Sequence, residues 1–444
     1  MRVIYSIFVF SLALILAIIF DLSPYLRGPQ DSILPSRWPY YFVNTIDKLW
    51  APLAVIGLFF IVYYFIEGKK QISKNSEKVF LLIMVLLIFF FQISLVYSSR
   101  FGTTILFRRM VNPGINGYFS SAVTIKDTSY YLHHFKETLE KLDQHGRGHP
   151  PGSILILKGI IYFFEKTPTV TKIASQFIRP PIAEAKLLWN PLTEAQRVAA
   201  VFSAFFLHFI AALSVLPVYF LSKHLFNKQV AIKALFLYAL IPSLSFFALL
   251  FDPFYAIFPI LSALFLYLGL KKQSFLLLFL SGLTCSLSLF FSLSTIPALI
   301  IPIIILLFSS NRRKTFIIKK VVFPYIIGFF SFLISLYLLG FDMISTSLLI
   351  IKFQAPREYL PWLIFNPYDF FLFLGIPISL LFLYVSFRWA KHYLQLGNLE
   401  SKILVSFWIV FIVLIVSGIS RGEVVRIWLP LMYVPIIFIA DFLT

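Results

Sequence analysis

Ten residues, Asp143-Gln144-His145-Gly146-Arg147-Gly148-His149-Pro150-Pro151-Gly152, close a polar stretch and run directly into an apolar segment of membrane character. They set an imidazole, His149, and a guanidinium, Arg147, at a water–lipid boundary, where polar side chains are retained mainly when they act on something. The two prolines fix the backbone, and Gly152 permits a close approach. A second candidate is Ser420-Arg421-Gly422-Glu423-Val424-Val425-Arg426-Ile427-Trp428, with a carboxylate between two guanidiniums. It reads equally as a self-neutralised helix start with its acid at the positive end of the dipole, or as an anion site with arginines aimed at a phosphate.

Carboxylates are scarce, 19 in 444 residues. Asp252, Asp342, Asp369 and Glu423 stand at the outer ends of apolar stretches, where each costs a few kcal/mol unless it faces a hydrated cavity or a partner. Asp252-Pro253-Phe254-Tyr255 also has the form of an N-cap followed by proline, and Asp369 in Asn366-Pro367-Tyr368-Asp369 shares that ambiguity. His133 and His134 are adjacent and would point to different faces of a helix, so with His145 and His149 they are not read as a dedicated metal cluster; no cofactor is expected, with a divalent cation left open. Nucleotide loops, a nucleophile elbow and the matched broken helices of transporters are missing.

The elements that must position these residues follow from composition. Hydrophobic residues are 59% of the chain, 53 of them phenylalanine, and only 13% are charged. The mean hydropathy is +0.89. Too few charges remain to cover a soluble protein of this size, so the chain reads as a multi-pass membrane protein. The net charge of +19 lies in short loops between apolar runs, as membrane topology and anionic headgroups demand, and nucleic acid is excluded as a partner. The one cysteine, Cys285, lies in an apolar run as a small buried hydrophobe.

Hydropathy gives about thirteen apolar stretches, hence an all-α polytopic bundle of about 12–13 membrane helices. The run from Arg2 to Phe20 is taken as the first of these rather than a cleaved signal. Basic clusters at Lys69–Lys78, Lys223–Lys233, Lys271–Lys272, Arg312–Lys320 and Arg388–Lys402 mark the cytoplasmic side. Segments 21–49, 98–150, 340–366 and 420–426 then fall on the opposite side. Between the first and fourth of those clusters stand seven stretches, and an odd number cannot return to the same side. Segment 151–164, too short to span comfortably, is expected to dip in without crossing, or else 166–195 carries an extra surface helix. Residues 128–142 have the periodicity of an amphipathic interfacial helix. Two units are expected: 1–78, a pair of membrane helices with an outer loop, and 79–444, the main membrane module with outer loop 98–150.

His149-Pro150-Pro151-Gly152 after a long outer loop resembles the corresponding loop ending in polyprenyl-phosphate-sugar-dependent membrane glycosyltransferases. This is the GT-C clan of protein O-mannosyltransferases and aminoarabinose transferases. Asn116-Gly117-Tyr118-Phe119, Asp252-Pro253-Phe254-Tyr255, Asn366-Pro367-Tyr368-Asp369-Phe370 and Arg421 to Trp428 look, in order, like a bacterial branch of that clan. The resemblance implies a GT-C fold and an inverting transfer of sugar from a polyprenyl-phosphate donor to a lipid, glycan or protein acceptor. The reaction would take place at the non-cytoplasmic face of the cell membrane, among membrane lipids. A carboxylate would accept the nucleophile's proton and a cation would stabilise the departing phosphate. The clan's early acidic pair is absent; the stretch reads Val111-Asn112-Pro113-Gly114-Ile115. The base then falls to Asp127 first and Asp252 second, or is missing. Asn116, Tyr118, Arg147, His149, Asp369, Arg421, Glu423 and Arg426 are the implied substrate contacts. The alternatives are a non-catalytic protein that binds or translocates a lipid-linked glycan, and a structural subunit of an envelope-assembly complex.

Overall fold

Long apolar runs in lipid must satisfy their backbone groups internally, and every regular element among the described residues is helical. The computed structural model describes residues 2–30, 36–40, 45–67, 73–177, 192–308, 318–353, 357–393 and 399–444. Of the basic clusters, Lys69, Lys70 and Arg312 to Ile317 lie outside the described residues, as do 178–191 and part of Arg388–Lys402.

Six helices are long and apolar enough to cross a membrane: Ile46–Glu67, Lys74–Tyr97, Glu194–Leu225, Asp252–Lys272, Lys320–Leu338 and Glu400–Ser417. Two bent pairs raise the number to as many as eight among the described residues. This is fewer than the 12–13 expected, for two reasons. Tyr359–Leu374 and Ile376–Ala390 turn 109° about Gly375, and Val424–Leu431 and Tyr433–Phe442 turn 56°, so neither apolar stretch is one straight span. Tyr5–Ile19, Phe275–Phe291 and Leu293–Ile304 are apolar but shorter than a full span. The result is an all-α polytopic helix bundle.

Helix ends follow local chemistry. Ser73 caps Lys74–Tyr97 by accepting from Ser76 N at 3.2 Å, and Thr193 with Gln196 forms a capping box before Glu194–Leu213. The helix Tyr433–Phe442 is apolar on all sides and lies in the centre, with Tyr433 to Ala440 all buried. Gly152–Lys166 has fifteen residues, which gives about 22 Å of helix against a hydrocarbon layer of about 30 Å. A second helix, Pro168–Phe177, follows it inside the polar segment.

The two ends of the bundle carry different contacts. At one, Glu77 meets Lys223 and Lys228, and the Lys233 ammonium donates to the Leu443 carbonyl. At the other, segments 21–49, 98–150 and 340–366 meet. Ser98 Oγ donates to the Lys48 carbonyl at 3.0 Å, Lys136 pairs with Asp342 at 3.2 Å, and the Tyr368 hydroxyl donates to the Leu26 carbonyl at 2.8 Å.

The stretch 128–142 is three short helical pieces, Thr128–His133, Phe135–Thr138 and Leu139–Lys141, in place of one interfacial helix. Its apolar residues Tyr131, Phe135, Leu139 and Leu142 are buried in protein, with Phe135 edge-on to Phe341 at 5.6 Å. Packing against the 340–351 region takes the face that lipid would otherwise cover.

Candidate functional site

Asp252 opens the Asp252–Lys272 helix and makes no side-chain cap hydrogen bond; Phe251 occupies the cap position. Its two carboxylate oxygens instead accept from one nitrogen of Arg426, both at 3.2 Å, and both side chains are buried. The other terminal nitrogen of Arg426 donates to Glu423, whose second oxygen accepts from Arg357 at 3.0 Å. A half-exposed carboxylate thus bridges two guanidiniums. Arg426, and after it Arg357, hold the Glu423 carboxyl below its usual range. Arg426 Nε and the Nε and remaining terminal nitrogen of Arg357 have no hydrogen-bond partner among the described residues.

The turn that carries Glu423 is built for this. Asn366 clamps it, donating to the Ser420 carbonyl at 2.6 Å and accepting from Gly422 N at 3.0 Å. Gly422 has φ +75°, and a Cβ there would stand 1.7 Å from an Arg357 nitrogen, so only glycine lets that guanidinium lie across the turn. Glu423 itself is left-handed at φ +58°, a conformation that costs a non-glycine residue roughly 1–2 kcal/mol. Arg357 lies over the Trp362 ring at 5.4 Å. Arg421, by contrast, is exposed and turned to backbone, donating to the Gly418 carbonyl at 2.9 Å and the Arg357 carbonyl at 2.7 Å.

Behind this pair stand residues of segment 98–150. A kink at Asn116 (φ −137°, ψ 69°) brings Tyr118, which is buried, into electrostatic reach of Tyr255, Asp252 and Arg426. Burial first, then Tyr255 and Asp252, push the Tyr118 phenol well above its ordinary value, so it stays a hydrogen-bond donor. His149 hydrogen-bonds Ser292 through Nδ1 at 3.1 Å, and its ring lies 5.5 Å from that of Tyr118 and 6.0 Å from that of Tyr255. Burial, then Arg426 and His145, lower the His149 pKa to about 3. Burial and Arg426 also lower that of His145. Both imidazoles are neutral near pH 7 and serve as hydrogen-bonding groups rather than cations.

The other sequence candidates have different surroundings. Asp127 is exposed and caps Thr128–His133, its Oδ1 accepting from Ser129 N at 2.8 Å and Tyr130 N at 3.1 Å. Asn116 is fully buried, its amide nitrogen 3.4 Å from Met110 Sδ. Arg147, partly buried, makes no side-chain hydrogen bond or ion pair among the described residues. The close approach at Gly152 is made by Phe290 and Phe291, within 2.8 Å of a would-be Cβ, so that glycine serves helix packing. Asp342 caps Met343–Ile351 and pairs with Lys136. Among the described residues no group of three or more His, Cys, Asp or Glu is placed to hold a metal ion.

A cavity of about 290 Å³ opens beside the ion pairs, walled by Trp38, Arg357, Trp362, Asp369, Glu423 and Arg426. Asp369 is buried and makes no hydrogen bond or ion pair among the described residues. Trp38 lies between the first two apolar helices of the chain. It packs edge-on against Phe373 at 4.7 Å, and its carbonyl accepts from Arg27 at 2.5 Å. Segment 21–49 therefore contributes to the cavity wall through Trp38.

Arg357, Trp38, Trp362 and Tyr255 went unremarked as site residues in the sequence. Arg357 had no signal of its own, since segments 21–49 and 98–150, expected on the same side, also carry arginines such as Arg27, Arg37, Arg108 and Arg147. Among the described residues the fold and the cavity define an all-α multi-helix bundle with a recess lined by charged side chains at one end. Comparison with protein-family models, curated proteins and solved structures finds no match.

Proposed function

We propose that this chain is an inverting membrane glycosyltransferase of the GT-C kind, moving a sugar from a polyprenyl-phosphate donor to an acceptor at the non-cytoplasmic face. The observation that carries the reading is the convergence of carboxylates and guanidiniums on one cavity: Asp369 and Glu423 with Arg357 and Arg426, the last held from behind by Asp252. A passive lipid groove needs cations but has no use for buried acids. At about 290 Å³ the space lies near the lower end of small-molecule sites, which run roughly 300–1,000 Å³, and suits a sugar and its phosphate with the lipid tail outside.

The donor's phosphodiester docks on the unused N–H edges of Arg357 and Arg426, which stabilise the charge that grows as the anomeric C–O bond breaks. Neutral His149 and the protonated Tyr118 sit behind the pair and hold its geometry without adding charge. Two tryptophan faces suit the C–H faces of a sugar ring. The acceptor oxygen attacks from the side opposite the phosphate, which inverts the anomeric centre.

The test is turnover. Purified protein in lipid nanodiscs, given radiolabelled polyprenyl-phosphate glucose, galactose, mannose or arabinose with envelope extract as acceptor, consumes at least one donor and releases polyprenyl phosphate. Tight binding of a donor with no consumption of any would support the lipid-linked glycan carrier instead.

The sidedness has its own check. Cysteines placed at the exposed Thr128 and Arg421 react with an impermeant thiol reagent in intact cells, and a cysteine at Gln273 reacts only after permeabilisation.

A further inference from the structure

We propose that Asp369, rather than Asp127 or Asp252, takes the proton of the acceptor; this rests on the transferase reading and names the base of the same site. Two carboxylates, Asp369 and Glu423, line the recess, Asp252 backs its wall through Arg426, and the three are not equivalent. Both oxygens of Asp252 are held by Arg426, and both oxygens of Glu423 by Arg426 and Arg357. Each of those oxygens already accepts from a guanidinium, so an acceptor hydroxyl would have to displace an ion pair to reach it. Asp127 caps a helix at the exposed surface and is absent from the cavity wall.

Asp369 differs on each count. It lines the cavity, it is buried, and no described side chain or backbone group donates to it. An acid that has no protein donor and faces a cavity is free to accept from what occupies that cavity, which in the transferase reading is the acceptor hydroxyl. Its helix is arranged to present it. Trp362, Asn366, Asp369 and Phe373 follow one another at three- and four-residue spacing along the buried stripe of Tyr359–Leu374. Trp362 supports Arg357, Asn366 clamps the Gly422–Glu423 turn, and Phe373 supports Trp38. One helix face thus positions the phosphate-side cation, the bridging acid and an aromatic wall, with Asp369 in their midst.

In the step itself the acceptor O–H transfers its proton to an Asp369 oxygen while the acceptor oxygen bonds to the anomeric carbon. The bond from that carbon to the phosphate oxygen breaks, and its electron pair leaves with polyprenyl phosphate toward Arg357. No other reactant is required.

Asp369→Asn preserves shape and removes the proton acceptor. With whichever labelled donor the wild-type protein consumes, it is expected to lower kcat by about 10²–10⁴-fold while donor KM stays within threefold. Asp369→Ala is expected to be equally slow and to recover at least tenfold on addition of sodium formate, which a purely structural role would not produce. Asp369→Glu, which keeps the acid, covers any loss of folding in the other two and is expected to turn over faster than either. An Asn variant within threefold of wild-type kcat overturns the assignment, as does parallel loss of kcat and donor affinity without formate rescue. A wild-type protein inactive toward every donor overturns the transferase reading itself, and the assignment with it.

Discussion

Glu77 at one end of the bundle and Glu423 at the other are each a carboxylate between two cations, yet they are built for different ends. Glu77 takes Lys223 at 2.5 Å and Lys228 at 3.2 Å, with the Tyr219 hydroxyl donating at 3.0 Å. Those contacts tie three helix ends together and use the carboxylate fully. Glu423 takes two arginines, whose planar forks keep N–H donors in reserve, and it sits on left-handed backbone beside a cavity. Equal charge composition makes a clasp where ammonium groups close the coordination, and a receptive site where guanidiniums leave it open.

The largest effect should come from orphaning a buried acid. Arg426→Ala strips Asp252 of its partner, and breaking such a pair typically costs about 3–5 kcal/mol. Lys223→Ala leaves Glu77 with Lys228 and Tyr219, and should cost about 1 kcal/mol or less. Thermal unfolding in detergent compares the two, and equal losses would erase the distinction between the ends.

Ligand binding should separate them next. Arg357→Ala should weaken binding of a polyprenyl-phosphate sugar about 10–100-fold, the worth of one or two charge-assisted hydrogen bonds. Lys228→Ala should leave that affinity unchanged. Comparable losses in both variants would show a general disturbance of the fold.

The acid response should also be one-sided. The folded His149 pKa of about 3 lies below the ordinary value of 6.5, so the unfolded chain binds the proton more readily. Its contribution to stability is complete above pH 6.5 and is lost as pH falls toward 3, by up to about 2 kcal/mol near pH 5. His149→Asn should flatten the stability profile between pH 6.5 and 5; an unchanged slope would place the acid sensitivity elsewhere.

Helical class was within reach of the sequence through hydropathy, and the scarcity of acids singled out Asp252 and Glu423; that Asp252 pairs with Arg426 was not legible, because residues 174 apart meet only through packing. The number of spans was not legible either. Gly375 and the break before Tyr433 look like ordinary positions in apolar runs, and only packing shows that they bend the chain. Residues 128–142 were misleading for a related reason: an apolar stripe records that a face is covered, not whether lipid or protein covers it. Asp127 and Asp369 were equally ambiguous on paper, since a cap and an open carboxylate carry the same side chain. The distinction lies in which backbone N–H groups are near, and those are set by tertiary structure. Asp127→Asn should therefore leave both stability and turnover unchanged, and Asp127→Ala should lose only about 1 kcal/mol, the smallest effect in the series.

The most direct test of which end receives the ligand is photolabelling. A polyprenyl-phosphate sugar bearing a diazirine on the sugar, irradiated with the protein in nanodiscs and mapped by mass spectrometry, should mark the segments holding Trp38, Arg357 to Asp369 and Arg421 to Trp428. Unlabelled donor should compete the signal away. Adducts at the Glu77–Lys223 end, or spread evenly over the apolar helices, would contradict the account.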